Sequence, residues 1–264
     1  MVQAVTFPID ALEAMKNYPK ALYYQGHLEL LQKRKISVVG TRNPFFYTKM
    51  LTQQLTHCLA QAGICVVSGG AIGVDAIAHA SAGVENTILV SPSGLDVIYP
   101  AVNRQLIRNM YEDGLALSMY EPNFKATPWS FVARNEMVVA LGEALVVAQA
   151  DMNSGSLRSV EFALKMGKPI YVFPHRLGES QGTNHLLKNN LAQAIYDIDE
   201  FVNQFTPLEE RVASCDEFLE YCQNNPLYDE AVFIYGSKVF EYELQGKIEV
   251  KNGRVSVFIG HKNC

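Results

Sequence analysis

An α/β architecture, with a mostly parallel sheet doubly wound by helices, is the fold class the sequence predicts, and three observations carry it. Short apolar runs recur at 36–39, 64–67, 87–90, 115–117, 144–148 and 170–173, each separated from the next by a stretch long enough for a helix. They are rich in Val and Ile with little alternation, as strands covered on both faces are. The run at 64–67 passes through Ser68-Gly69-Gly70 into the start of a helix, a turn that brings backbone amides close to an anion. Between the first two runs, Leu51, Leu55, Cys58, Leu59 and Ala62 share one helical face, and Gly63 ends the pattern.

Taken in order, residues 1–35 read as an N-terminal arm of mixed character. Pro19 and Gly26 break it, and Lys33-Arg34-Lys35 closes it as a solvated basic run. From Ile36 the strand and helix units continue to about residue 205. The glycine turn has the spacing of the last two glycines of G-x-G-x-x-G in Gly70 and Gly73, but Ser68 stands where the first should be, so the fold is Rossmann-like without a dinucleotide fingerprint. It does not match a phosphate-binding G-x-x-x-x-G-K-[ST] loop either. Around Pro207 a linker over 206–213 is expected. Beyond it, helices near 214–224, 228–235 and 237–245 precede two short runs flanking Lys251-Asn252-Gly253-Arg254, a hairpin turn. Three helices and a hairpin over 214–264 make a small C-terminal winged-helix-like domain.

Composition places the chain among soluble globular proteins, with 48% hydrophobic and 19% charged residues over 264 positions. No charged leader with an apolar core opens the chain, and no apolar run reaches the roughly 18 to 20 residues of a membrane span. A cytoplasmic location is expected. The net charge is −5, and most of the acid excess sits beyond residue 205, which leaves a near-neutral main lobe able to hold a local cationic site. The acidic small domain reads as a protein-contact or structural module. The cysteines at 58, 65, 215, 222 and 264 lack C-x-x-C spacing and read as structural thiols.

Ligands of parallel α/β sheets bind outside the carboxyl ends of the strands. The residues just after each run are therefore the candidates: Thr41 and Arg42, then Ser68, Gly69 and Gly70, then Ser154, Gly155 and Ser156, and finally Thr183 and Asn184. A helix in the segment after residue 128 adds Phe131, Arg134 and Asn135. Hydroxyls, amides and guanidinium groups hold phosphates, and an aromatic ring beside a guanidinium suits stacking of an unpaired base. Phe131 is also compatible with a core position. A catalytic kit is not evident. There is no G-x-S-x-G elbow, and Asp75 with His79 supplies two metal ligands without a third, so helix-end stabilisation by Asp75 and a packed or solvent-facing His79 are expected.

As an ordered set, Val39-Gly40-Thr41-Arg42, Ser68-Gly69-Gly70-Ala71-Ile72-Gly73-Val74-Asp75, Gly94-Leu95-Asp96-Val97-Ile98-Tyr99-Pro100, Phe131 with Ala133-Arg134-Asn135, Ser154-Gly155-Ser156 and Gly182-Thr183-Asn184 resembles the DprA (Smf) family of DNA-processing proteins. The resemblance implies a protein of natural transformation that binds and protects incoming single-stranded DNA, forms a homodimer through its Rossmann-like domain and helps load RecA. It implies no catalysis and no required nucleotide cofactor. It assigns DNA binding to Arg42, Phe131, Arg134 and Asn135. Two positions depart from the family pattern, since Ile72 and Glu136 stand where arginine is usual. Two other classes remain open: a nucleotide-handling, phosphoribohydrolase-like hydrolase, from whose expected turn Ser154-Gly155-Ser156 and Glu161 depart, and a protein adaptor whose turns are purely structural.

Overall fold

The computed structural model describes residues 2–206 and 217–257 and divides into two compact units, 1–210 and 211–264. In the first unit the strands are β1 (Gln3–Ala4), β2 (Tyr23–Gly26), β3 (Lys35–Val39), β4 (Cys65–Ser68), β5 (Thr87–Ser91), β6 (Leu115–Ser118), β7 (Ala144–Val147), β8 (Ile170–Val172) and β9 (Gln193–Ala194). The helices are α1 (Phe46–Gln61), α2 (Val74–Ala82), α3 (Arg104–Asp113), α4 (Pro128–Leu141), α5 (Gly155–Lys165), α6 (Gln181–Lys188) and α7 (Ile198–Phe205). All six predicted apolar runs are strands, within a residue or two at each end.

Among the described residues these strands form one sheet in the order β1-β2-β6-β5-β4-β3-β7-β8-β9. The seven strands from β6 to β9 pair in parallel, and β2 and β1 add antiparallel at the β6 edge. Starting from β3, the chain first builds outward through β4, β5 and β6, then returns to lay β7, β8 and β9 on the other side. The reversal falls between β3 and β7, and connections leaving that pair in opposite directions open a crevice at their carboxyl ends. This is a Rossmann-like arrangement.

Successive strand residues point to opposite faces, and both faces are covered. Ile36, Val38, Val66 and Val146 pack against Leu55 and Leu59 of α1, Ala78 of α2 and Phe201 of α7. Val39, Val67, Val90 and Val147 pack against Val138 of α4, Val160 of α5 and Leu186 of α6. Helix α1 ends where the sequence pattern ends it: Gly63 takes φ +71°, and the Ile64 amide donates to the Leu59 carbonyl at 2.9 Å.

Within the N-terminal arm, residues from 2 onward supply β1 and β2, and Leu12, Leu22 and Leu30 join the core on the α4 side of the sheet. The basic run is likewise anchored, with Arg34 Nε donating to Glu143 at 3.1 Å and Lys35 Nζ donating to the Leu31 carbonyl at 2.8 Å. Of the cysteines, Cys65 is buried in β4, and burial pushes its thiol up to about 12, which suits a packing role.

In the second unit, α8 (Glu217–Gln223), α9 (Tyr228–Tyr235) and α10 (Lys238–Leu244) precede the antiparallel pair β10 (Ile248–Lys251) and β11 (Arg254–Val257). Asn252 and Gly253 both take positive φ in the two-residue turn, as a tight hairpin requires. Phe218, Ala231, Val239, Ile248 and Val255 form its core. Three helices with a hairpin give it a winged-helix-like composition. Of the expected linker, residues 207–213 lie outside the described residues, as do Cys215 and Cys264.

Leu59 has no exposed surface and fills the layer between α1 and the sheet. Leu59→Ala is expected to lower the unfolding free energy by about 2–5 kcal/mol, measured by urea denaturation of the folded variant.

Candidate nucleic-acid interface

A cleft of about 340 Å³ opens at the β3/β7 reversal, lined by Gly40, Thr41 and Arg42 after β3, by Ala71 and Asp75 at the start of α2, by Phe131, Arg134 and Asn135 of α4, and by Ser154, Gly155 and Ser156 at the start of α5. A smaller recess of about 40 Å³ continues from it, sharing Arg42, Ala71, Phe131 and Arg134 and adding Gly69, Ile72, Pro92, Tyr99 and Pro100. Segments far apart in sequence meet here because the strand order sends them to one edge.

Helix α4 is placed by its own first turn. Pro128 sits where a missing amide hydrogen costs nothing. Thr127 Oγ1 accepts from the Ser130 amide at 3.3 Å, while the Thr127 amide donates to Ser130 Oγ at 2.9 Å. This reciprocal cap fixes the helix start. Phe131, Arg134 and Asn135 then fall on one face, at i, i+3 and i+4.

Arg134 is only 5% exposed. Its guanidinium carbon lies 5.8 Å from the Phe131 ring centroid, and Nη1 lies 4.0 Å from Asp75 Oδ2. Nη1 presses against Gly69, where any Cβ would collide with it. Nε and Nη1 have no hydrogen-bond partner among the described residues. Burial lowers the Arg134 pKa, with Asp75 opposing that shift and Arg42 adding to it. Because a guanidinium keeps its proton in proteins, the outcome is a buried cation held loosely by one carboxylate. Arg42 is exposed at the other side of the cleft.

Asp75 does more than cap a helix. Its Oδ2 accepts from the Ala71 amide at 3.3 Å, and the nearby Gly69 amide also favours its charged form. Burial raises its pKa, against the pull of Arg134 and these amides. Gly73, at φ +87°, lets the chain pass beneath the Thr41 and Arg42 carbonyls, which a side chain would strike. His79 is fully buried and its Nδ1 hydrogen-bonds with Thr87 Oγ1, which also lies 3.1 Å from the Val66 carbonyl. Burial, with Arg134 nearby, pushes its pKa down to about 3.

Of the residues expected at the edge, Thr41, Arg42, Phe131, Arg134, Asn135, Ser154, Gly155 and Ser156 line the cleft, and Gly69 lines the recess. Four do not. Ser68 is buried, with Oγ donating to the Val38 carbonyl at 2.6 Å, and Gly70 is buried against Leu89. Thr183 is buried, with Oγ1 donating to the Ser180 carbonyl at 3.0 Å, and Asn184 Nδ2 donates to the Glu179 carbonyl at 2.9 Å. The glycine turn therefore gives the Ala71 amide to Asp75 and its space to Arg134. The turn that lines the cleft is the one at Ser154 to Ser156, where the first amides of α5 lack helical partners and Ser154 Oγ lacks a partner among the described residues. Tyr99 was not expected. It packs edge-on against Phe131 at 5.4 Å and, with Pro92 and Pro100, walls the recess. Among the described residues no group of three metal-ligating side chains exists.

Residues 2–206 match the sequence pattern of the family described as DNA recombination-mediator protein A. The chain belongs to that family. The DNA processing protein DprA of Bacillus subtilis is 34% identical over 217 residues, covering 78% of this chain and 72% of the relative. DNA processing protein A from Helicobacter pylori, solved in work on its single-stranded DNA binding mode, is 42% identical with a TM-score of 0.76, covering 78% of this chain and 95% of that one. DprA from Streptococcus pneumoniae is 30% identical with a TM-score of 0.71, covering 77% of this chain and 74% of that one. The chain spans about half the length of some longer relatives in the family.

A neutral buried His79 sets the sign of a pH dependence. Its folded pKa lies below the ordinary 6.5, so the unfolded chain binds the extra proton and stability falls as pH drops from 6.5 toward 3. Between pH 6.5 and about pH 5 the loss is expected to be roughly 2 kcal/mol. Urea unfolding of the protein and of His79→Gln at both pH values isolates this contribution; parallel losses in the two proteins would contradict it.

Proposed function

We propose that the chain is a single-stranded DNA-binding recombination mediator whose strand runs through the crevice between β3 and β7. The observation that carries this reading is Arg134, a buried cation lying against the ring of Phe131 in a cleft that it shares with Arg42. A phosphate offers that cation the charge partner that Asp75 supplies only at 4.0 Å. The neighbouring recess, walled by Phe131, Tyr99 and two prolines, accepts the flat face of a base. Stacking does not depend on base identity, which suits a protein that must hold any sequence. Thr41, Asn135 and the Ser154-Gly155-Ser156 turn complete the phosphate contacts, and Gly69 gives Arg134 its place.

Family membership and the similarity to the Helicobacter pylori protein support the same reading. We extend it to the wider role: a cytoplasmic, non-catalytic homodimer that protects incoming DNA during natural transformation and hands it to RecA. Residues 36–205 would carry DNA, and the acidic module at 214–264 would serve protein contact. Ile72 and Glu136 keep two positive charges out of the site. Ile72 is 47% exposed at the recess, and Glu136 Oε1 accepts from the Lys16 amide at 2.9 Å. Affinity per protomer is therefore modest, and a dimer holding one strand at two sites recovers it.

The hydrolase alternative is less well supported. Glu161, the nearest acid on α5, is 3.0 Å from Arg158 on an exposed helix face and does not line the cleft.

Binding of labelled oligonucleotides tests the reading. The protein is expected to bind single strands more tightly than duplex, with affinity falling as salt rises. Phe131→Ala should cost about 1–3 kcal/mol of binding. Arg42→Ala should weaken binding and flatten the salt dependence. Unchanged affinity in both folded variants would place the strand elsewhere.

A further inference from the structure

The cleft contains one negative charge where an anion is meant to bind. Asp75 is 7% exposed, beside an Arg134 that is 5% exposed. Their closest approach of 4.0 Å is too long for a hydrogen bond. The carboxylate accepts from the Ala71 amide at 3.3 Å instead. In its ionised form, which burial disfavours and Arg134 favours, Asp75 offsets part of the charge on Arg134 without satisfying its N–H groups, and in a water-poor site that offset is felt strongly. It also repels any phosphate approaching the guanidinium.

We infer that Asp75 is a positioning residue that holds the Gly69-to-Ala71 turn against Arg134 and, through its charge, sets the single-strand affinity below the maximum the site could reach. The inference rests on the proposed strand path. A site tuned this way binds without trapping, as a protein that passes a strand onward needs. Removing the charge has two consequences of the same sign for binding. The phosphate loses a repulsive neighbour, and the free protein loses the partial neutralisation of a buried cation, so the free state is less stable relative to the bound one. Binding therefore tightens while the free protein weakens. A carboxylate with a purely structural role would weaken both.

Asp75→Asn keeps the shape and an oxygen acceptor for the Ala71 amide. Affinity for a fluorescent oligothymidylate would be measured by anisotropy across a salt series, for the unaltered protein, Asp75→Asn, Arg134→Gln and the double variant, with melting temperatures with and without DNA. Asp75→Asn is expected to bind about five- to tenfold more tightly at low salt, to melt lower when free, and to gain more in melting temperature from DNA. In the Arg134→Gln background the gain should shrink to the part that comes from relieving repulsion between Asp75 and the phosphate. Equal or weaker binding by Asp75→Asn, or the same gain without Arg134, would overturn the inference while leaving the strand path intact. Should Asp75→Asn not fold, Asp75→Ser is expected to show the same signs. Failure of both to fold also overturns it, because the carboxylate is then a folding requirement. If the unaltered protein binds no single strand, the proposed function falls and the inference with it.

Discussion

One buried guanidinium organises the first unit's functional edge. Arg134 lies under the sheet's carboxyl edge with a single carboxylate at 4.0 Å and no hydrogen-bond partner for Nε or Nη1 among the described residues. Burying a charge this way is costly unless other groups compensate. The surroundings do so in several ways. Gly69 withholds a side chain that would displace it, Phe131 presents its ring, Asp75 supplies opposite charge, and His79 stays neutral so that no second cation joins it. A cation left incompletely paired at the floor of a cleft is a feature that folding alone does not require, and in the proposed function a phosphate would supply what it lacks.

The topology explains why these groups meet. Loops after β3 and β7 diverge at the reversal of strand order, leaving room between Arg42 on one side and the α5 turn on the other. Helix α4 enters from the β6 side, and its reciprocal Thr127–Ser130 cap fixes which residues face the crevice. Two glycines then set the floor. Gly73 lets the chain pass under the Thr41 and Arg42 carbonyls, and Gly40 sits against Val74, where a side chain would clash. The loop bearing Arg42 and the start of α2 are thus packed as one piece, so the exposed arginine stands on a rigid base.

Much of this was legible in the sequence, and the parts that were not have physical reasons. The parallel strands were readable because burial on both faces demands unbroken apolar runs such as Ile64 to Val67 and Ala144 to Val147. The outlying strands at Gln3–Ala4, Tyr23–Gly26 and Gln193–Ala194 are short and partly exposed, so their composition carries no such demand. The candidate residues were collected by position after strands, a rule that locates the edge but not the direction of a side chain. Ser68 and Thr183 obey the rule and point inward to carbonyls, whereas Ser154 and Ser156 obey it and line the cleft. Tyr99 escaped because it belongs to an irregular segment between β5 and α3, with no periodicity to place it against Phe131. Asp75 was read as a helix-end charge; its hold on the Ala71 amide needs the fold of the turn to be seen.

The strand's physical location in the proposed function can be read with a zero-length photocross-link. Oligonucleotides carrying 5-iodo-deoxyuridine at successive positions would be bound to the intact protein, irradiated and mapped by mass spectrometry of the peptides. The account requires adducts on Phe131 or Tyr99, in the recess beside Arg134. Adducts confined to residues outside the crevice, with Phe131 and Tyr99 unmodified at every probe position, would contradict it.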